Sequence, residues 1–205
     1  MDSACSLKAE PSLNFPPELL LRAQGVKVAF FDIDGVMTDG GLYFSEYPAG
    51  HEHASTTGGF RSSGEIIKRF NTLDGQGIKL LQKAGITPVV ITGRDSSVLR
   101  GRLKALGISH CYFGCEDKRP AAEQTLRTLG LNWDAAAAMG DDWPDLPVML
   151  ASALSCAPAN AHLEVRSRAH HITAAQGGHG AAREFCDLLL VAGGHYAAML
   201  REYLA

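Results

Sequence analysis

No stretch of this 205-residue chain approaches the ~20 consecutive apolar residues of a membrane-crossing helix. A helical membrane span is excluded on that ground. Excess positive charge is missing too: 19 Lys and Arg stand against 22 Asp and Glu, a net charge of -3. Nucleic-acid-binding domains are usually basic, so that class is set aside. The first residues carry Asp2, Glu10 and Pro11 with neither a cationic start nor an apolar run. They do not read as a signal peptide, and a cytoplasmic location is expected. Cysteine is scarce and unpatterned. Cys5, Cys111, Cys115, Cys156 and Cys186 form an odd set without framework spacing, which predicts reduced thiols. Cys111 and Cys115 have no further partners at metal-ligand spacing, so zinc is not expected. Internal repeats and low-complexity segments are absent as well. A chain of this length buries roughly 70% of its unfolded surface and needs no covalent or metal staple.

What is present is an alternation of short apolar runs and amphipathic stretches. Residues 1–25 read as a loose leader, with a short helix opened by Pro16 and Pro17. A single domain over 26–205 is expected to follow. Buried strands are predicted at 26–31, 88–92, 110–113, 135–139, 153–157 and 169–173. Helical stripes run through 78–84, 98–106, 120–129, 146–150, 181–191 and 196–204, several of them ended by glycine. Strands alternating with helices of about ten residues imply βαβ units and a mainly parallel sheet. Between the first two sheet strands, 42–44 and 65–70 read as short strands that pair as a hairpin flap across about 41–70. The Ser-, Thr-, Gly- and His-rich stretch from 45 to 64 is a long loop. His51 and His53 fall in it and read as polar loop residues. His170 and His171 read as a partly buried pair before a strand.

In an open α/β sheet, ligands bind beyond the carboxyl ends of the strands. The first strand runs into Asp32-Ile33-Asp34-Gly35, the second into Thr92-Gly93-Arg94, and the fourth into Gly140-Asp141-Asp142. Lys118 comes past the third, at a helix start. Together these bring carboxylates, a hydroxyl, an ammonium and backbone N–H groups to one edge. Crowded carboxylates repel unless a cation holds them, and hard oxygen ligands suit Mg²⁺ with a phosphate. Thr92 and Lys118 supply donors for phosphate oxygens. Asp32 is placed to attack phosphorus, and Asp34, two residues on, to act as acid and then base. Taken singly, each piece has an ordinary explanation: a solvated turn, a helix cap, a solvated lysine, a loop before Pro144. Their conjunction, in order and at the ends of separate elements, is what points to phosphoryl transfer.

These residues resemble the haloacid dehalogenase superfamily of phosphatases, whose four motifs they match in order and kind. The resemblance implies Asp32 as nucleophile, Asp34 as acid/base, Thr92 as the phosphate-binding hydroxyl and Lys118 as the conserved cation. It implies Mg²⁺ held by the side chains of Asp32 and Asp141 and by the backbone carbonyl of Asp34, with Asp142 and Asp145 beside them. The implied fold is α/β, a Rossmann-like three-layer arrangement around a parallel sheet. A closer resemblance, over roughly residues 26–192, is to the 3-deoxy-D-manno-octulosonate 8-phosphate (KDO 8-phosphate) phosphatase family. It is carried by residues 31–40, 70–75, 91–94, 106–108, 140–142, 145–149 and 177–184. That implies a capless sugar-acid phosphatase serving lipopolysaccharide synthesis, a homotetramer in which neighbouring subunits close each active site. It also implies a substrate site lined by Asp34, Asn71, Thr72, Leu73, Asp74, Gly75, Lys79, Arg94, Arg102 and Lys118. Lys79 stands where many members carry arginine, and meets a carboxylate as a point charge rather than a fork. Leu73 stands where some relatives carry arginine, and the 46–63 loop is longer than usual.

Chain length agrees with a capless design. Thr92 follows Asp39 by only 53 residues, and a hairpin, a loop and a helix use them up. The glycines from Gly177 to Gly180 read either as a plain turn or as a phosphate-facing helix start. Several alternatives stay open on the residues alone: a phosphatase of a nine-carbon sugar acid 9-phosphate, a phosphotransferase, and a non-catalytic relative that kept the fold. A receiver-type phosphoacceptor ranks below these because it lacks an acid/base aspartate two residues after the first.

Overall fold

The computed structural model describes residues 12–44 and 65–204. His51, His53 and the whole of the predicted 46–63 loop lie outside the described residues. The central sheet has six parallel strands: β1 (Val28–Phe31), β4 (Thr87–Ile91), β5 (His110–Tyr112), β6 (Ala136–Met139), β7 (Leu154–Ala157) and β8 (His171–Ile172). Their spatial order is β5-β4-β1-β6-β7-β8. The neighbours of β1 are therefore β4 on one side and β6 on the other, with Phe31 level with both Val90 and Met139. The chain moves one way from β1 and returns to the other side, which makes β1 the switch point where open sheets bind ligands.

The apolar strands are covered on both faces, as parallel strands must be. Ala29, Phe31, Val90, Ala137, Met139, Leu154 and Cys156 face a core closed by α1 (Pro17–Ala23), α2 (Thr72–Lys83), α3 (Ser97–Ala105), α7 (Ala181–Ala192) and α8 (Tyr196–Leu204). Val28, Phe30, Val89, Ile91, Ala136 and Ala138 face a second core under α4 (Arg119–Leu129), α5 (Leu146–Ala151) and α6 (Leu163–Arg166). The result is the expected three layers. The hairpin is present as β2 (Tyr43–Phe44) antiparallel to β3 (Glu65–Ile67), in a sheet of its own.

Four expectations need correction. The first concerns the leader. From Phe15 on it is part of the core: Phe15, Leu19 and Ala23 are buried against α7 and the sheet, and the Phe15 ring meets His171 edge-on at 6.0 Å. The strand predicted over 65–70 stops at Ile67, because Lys68 turns inward to an ion pair. Helix α2 starts a turn and a half before the predicted Ile78, capped by the Asn71 side chain, which accepts the Leu73 N–H at 2.9 Å. The four-residue α6 was not predicted, being too short to show a period.

Candidate active site

The first strand delivers Asp32 one residue past Phe31, with its N–H on the Met139 carbonyl at 3.1 Å. Lys118 stands just before α4 and reaches back under the sheet edge. Its Nζ lies 2.5 Å from Asp32 Oδ1 and 2.6 Å from Asp145 Oδ1, and all three residues are buried. The other Asp145 oxygen accepts the N–H groups of Asp141 and Asp142, at 3.0 and 3.2 Å. Asp142 in turn caps the 3₁₀ turn at Trp143–Asp145, in a box closed by Asp145. The loop after β6 is thus tied to the lysine through one carboxylate. This close packing requires glycine at two points. A Cβ on Gly35, whose φ is +92°, would sit 2.1 Å from Asp141 Oδ2, and one on Gly140 would sit 2.2 Å from the Asp145 Cβ.

Carboxylate oxygens of Asp32, Asp141 and Asp145 come within 4.8 Å of one another. Three carboxylates face one ammonium there, leaving two negative charges uncompensated. Desolvation, then the repulsion of Asp145, pushes Asp32 up to about 7. Desolvation, then the charges of Asp32 and Asp145, pushes Asp141 up to about 8. Lys118 is raised by Asp32 and Asp145, which outweigh its own desolvation. An excess of two negative charges on hard oxygens fits a divalent cation such as Mg²⁺. Asp145 already spends both oxygens on Lys118 and the backbone, so Asp32 and Asp141 are the carboxylates left to hold a metal.

Asp34 is not in that cluster. Its Oδ1 lies 2.5 Å from Lys68 Nζ and its Oδ2 lies 3.8 Å from Arg94 Nε. Lys68 was not among the predicted site residues. It follows the flap strand in a polar string, Lys68-Arg69, that carries no motif, and its partner is 34 residues away. Thr92 is buried past β4, and its Oγ1 accepts the Arg94 N–H at 3.3 Å. The turn after Asp34 is held by Thr38, whose hydroxyl bonds the Ile33 carbonyl and accepts the Gly35 and Gly40 N–H groups.

The residues expected to line a substrate divide. Asn71 sits at the rim, with its side-chain amide on the Gly178 carbonyl at 3.4 Å. Arg102 reaches the Asn71 carbonyl and lies over the Phe70 ring. Arg94 is half-exposed beside Asp34. Thr72 and Leu73 are exposed. Lys79 is exposed on α2 and makes no ion pair with another described residue. Asp74 is different: only 1% exposed, it accepts the Arg183 N–H at 2.9 Å. It caps α7, whose own N-cap, Gly180, has no side chain to do so. One Asp74 oxygen thus serves the fold, while the other, Oδ2, is buried without a hydrogen-bond partner among the described residues, and Gly75 is buried beneath the Arg102 guanidinium. At the same rim Arg69 joins Asp39 and His179, at 3.4 and 3.2 Å.

The haloacid dehalogenase-like hydrolase family model matches residues 116–185. The KDO 8-phosphate phosphatase KdsC of Yersinia pestis is 38% identical over 175 residues, 85% of each chain. The chain belongs to the KDO 8-phosphate phosphatase family. Among solved structures similar to this family member, a probable YrbI family phosphatase from Pseudomonas syringae is 45% identical. Its TM-score is 0.83, over 93% of this chain and 99% of that one. The KDO 8-phosphate phosphatase of Moraxella catarrhalis, solved with magnesium, phosphate and KDO, is 31% identical. Its TM-score is 0.79, over 91% of this chain and 98% of that one. The family-model segment takes in Lys118, Asp141 and Asp145. Asp32, Asp34 and Thr92 precede it in sequence, and of these the parallel sheet brings Asp32 into contact with that segment's lysine and aspartates.

Proposed function

We propose that this chain hydrolyses KDO 8-phosphate to KDO and phosphate, with Mg²⁺, through an aspartyl-phosphate on Asp32. The observation that carries the reading is the buried cluster of Asp32, Lys118, Asp141 and Asp145 at the carboxyl ends of β1 and β6. Membership of the KDO 8-phosphate phosphatase family supports the substrate, and the Moraxella relative's complex supports the metal.

Asp32 and Asp141 would hold Mg²⁺ by side chain and Asp34 by its backbone carbonyl. Once bound, the ion offsets negative charge on the phosphoryl group. The remaining work belongs to the chain. Lys118 fixes the Asp32 carboxylate for attack on phosphorus and, with Thr92, steadies the phosphoryl oxygens. As the Asp32–phosphorus bond forms, the bond to the sugar oxygen breaks, and Asp34 gives that oxygen a proton. A water then attacks phosphorus while Asp34 takes its proton, and Asp32 leaves as carboxylate. Asp142 and Asp145 keep the loop after β6 in register. Arg94, Arg102, Asn71 and Lys79 are proposed to meet the sugar acid.

A homotetramer, with neighbouring subunits closing each mouth, belongs to the same proposal. Exposed Leu42, Tyr43 and Ile67 on the hairpin and Leu73 beside it support it, as does the open site of a capless chain. A cytoplasmic location is proposed likewise; among the described residues no helix is long and apolar enough to cross a membrane.

The test is phosphate release from KDO 8-phosphate, a nine-carbon sugar acid 9-phosphate and 4-nitrophenyl phosphate, each with Mg²⁺ and with EDTA. A strong Mg²⁺-dependent preference for KDO 8-phosphate is expected. Preference for the nine-carbon ester would keep the mechanism and refute the substrate. Folded protein that is silent on all three would refute the activity.

A further inference from the structure

The two aspartates of the Asp32-Ile33-Asp34 motif are each gripped by a different lysine. Lys118 holds the first and shares itself with Asp145. Lys68 holds the second, with its Nζ 2.5 Å from Asp34 Oδ1. The Lys68 side chain is 1% exposed, against 19% for Asp34. A lysine is almost never so deeply buried without a reason, since removing an ammonium from water costs several kcal/mol. The other oxygen of the carboxylate it meets, Oδ2, lies 3.8 Å from Nε of the half-exposed Arg94.

We infer that Lys68 is a positioning residue for the acid/base step. It anchors Asp34 Oδ1 and so leaves Oδ2 as the oxygen that passes the proton. The inference rests on the phosphatase reading above. A carboxylate that rotates freely presents its two oxygens at random, whereas one pinned by a charge-assisted bond presents the same oxygen each time. The proton accounting is closed. In the first half-reaction the Oδ2 proton goes to the leaving sugar oxygen as the ester bond breaks. In the second, Oδ2 recovers a proton from the water that attacks phosphorus. The Lys68 ammonium donates its hydrogen bond throughout and transfers nothing.

Two consequences separate this role from a merely structural one. Asp34 protonates the leaving group only where that group needs it. An alkoxide does; 4-nitrophenolate is stable without a proton. Formation of the phospho-enzyme from 4-nitrophenyl phosphate is therefore expected to survive loss of Lys68. The following attack of water is expected to slow, because it needs Asp34 as base. In addition, removing Lys68 should matter only while Asp34 is there to be positioned.

The experiment is rapid-mixing kinetics on the full chain with Mg²⁺, comparing Lys68→Met, Lys68→Gln, Asp34→Asn and the Asp34→Asn/Lys68→Met double variant. General acid–base catalysis contributes about 10²–10⁴-fold, so loss of its alignment is expected to lower kcat by about 10–100-fold. KM for KDO 8-phosphate should stay within a few-fold. With 4-nitrophenyl phosphate, both Lys68 variants should give a nitrophenol burst at near the wild-type rate, then a slowed steady state. The double variant should be no slower than Asp34→Asn alone. Equal losses in burst and steady state, a change in KM alone, or losses that multiply in the double variant would each overturn the inference. So would wild-type kinetics in both Lys68 variants. Should Lys68→Met not fold, Lys68→Gln keeps a hydrogen-bond donor at reduced charge and carries the same readouts. Wild-type activity on the aryl ester but not on KDO 8-phosphate would refute the substrate and leave the Lys68 test intact. Inactivity on both would refute the two together.

Discussion

Filling the carboxylate cluster with Mg²⁺ should expel protons, and the number follows from the structure. Asp32 sits at about 7 and Asp141 at about 8 while no cation shares the site, because burial and mutual repulsion disfavour their charged forms. At pH 7.5 the two carboxyls then hold about one proton between them. A dication held by both replaces repulsion with attraction and leaves both ionised. Binding should release about one proton at pH 7.5, nearly two at pH 6 and about 0.1 at pH 9. Isothermal titration of Mg²⁺ in buffers of different ionisation enthalpy reads that number as the slope of heat against buffer enthalpy. A flat plot at pH 7.5, or a release that does not shrink by pH 9, would refute the reasoning, since the crowding would then be costing nothing. Stability carries the same signature. Both folded values lie above the unfolded carboxyl value of about 3.9. Between about pH 4 and pH 8 the metal-free fold therefore holds protons that the unfolded chain has lost. Its stability falls as pH rises through that window, on the order of 4 kcal/mol for Asp32 alone. Melting temperatures in EDTA should drop from pH 5 to pH 8, and the gain on adding Mg²⁺ should widen over the same range.

Asp32→Asn should abolish phosphate release with folding intact, and should raise the melting temperature in EDTA at pH 8 by removing one of three repelling charges; a variant that kept a near-normal rate would exclude Asp32 as nucleophile. Lys118→Met leaves the carboxylates with no ammonium among them. Breaking a buried pair costs about 3–5 kcal/mol, so thermal denaturation should register a loss of roughly 10 °C along with lost turnover. Asp145→Ala frees the Asp141 and Asp142 N–H groups and the loop that carries Asp141. Its expected mark is Mg²⁺ affinity weakened about 10–100-fold, with rate recovered in part at saturating metal. Asp74→Ala uncaps α7 and should cost about 1–3 kcal/mol in denaturant unfolding while leaving KM for KDO 8-phosphate unchanged; a selective rise in KM would show that Asp74 serves the substrate site.

The legible parts of the molecule were those whose cause is local or periodic. β1, β4 and β6 read as strands because a doubly covered parallel strand is apolar throughout, and Asp32, Thr92 and Asp141 could then be found by asking what each strand runs into. Lys118 was legible only through its place in that order. Other features depend on partners far away in sequence. The apolar Leu19-Leu20-Leu21 run was visible, but its partner α7 is more than 150 residues later, so the segment read as a leader. Asp74 caps a helix 109 residues away, and nothing near it distinguishes a cap from a ligand contact. The first turns of α2 hid because Gly75 and Gly77 interrupt the apolar period. In the fold Gly77 does the opposite of breaking a helix: it lets the Cys186 side chain of α7 approach to where a Cβ would stand at 3.0 Å.

The Asp-Ile-Asp spacing does not by itself divide labour between its aspartates; their surroundings do. Both follow the same strand, two residues apart, and both meet a lysine at 2.5 Å. Asp32 is buried, and its lysine is shared with a second carboxylate while a third stands close by. Its charge is therefore under-compensated, which suits a group that holds a cation and attacks phosphorus. Asp34 meets the buried Lys68 on one oxygen and the half-exposed Arg94, at 3.8 Å, on the other. That suits a group that exchanges protons with a leaving oxygen and then with water. Two like side chains acquire unlike tasks when their environments differ, as pairs of catalytic carboxylates generally do. On the reading proposed above, that difference comes from two lysines that enter from different elements, Lys118 from the start of α4 and Lys68 from the residue after β3.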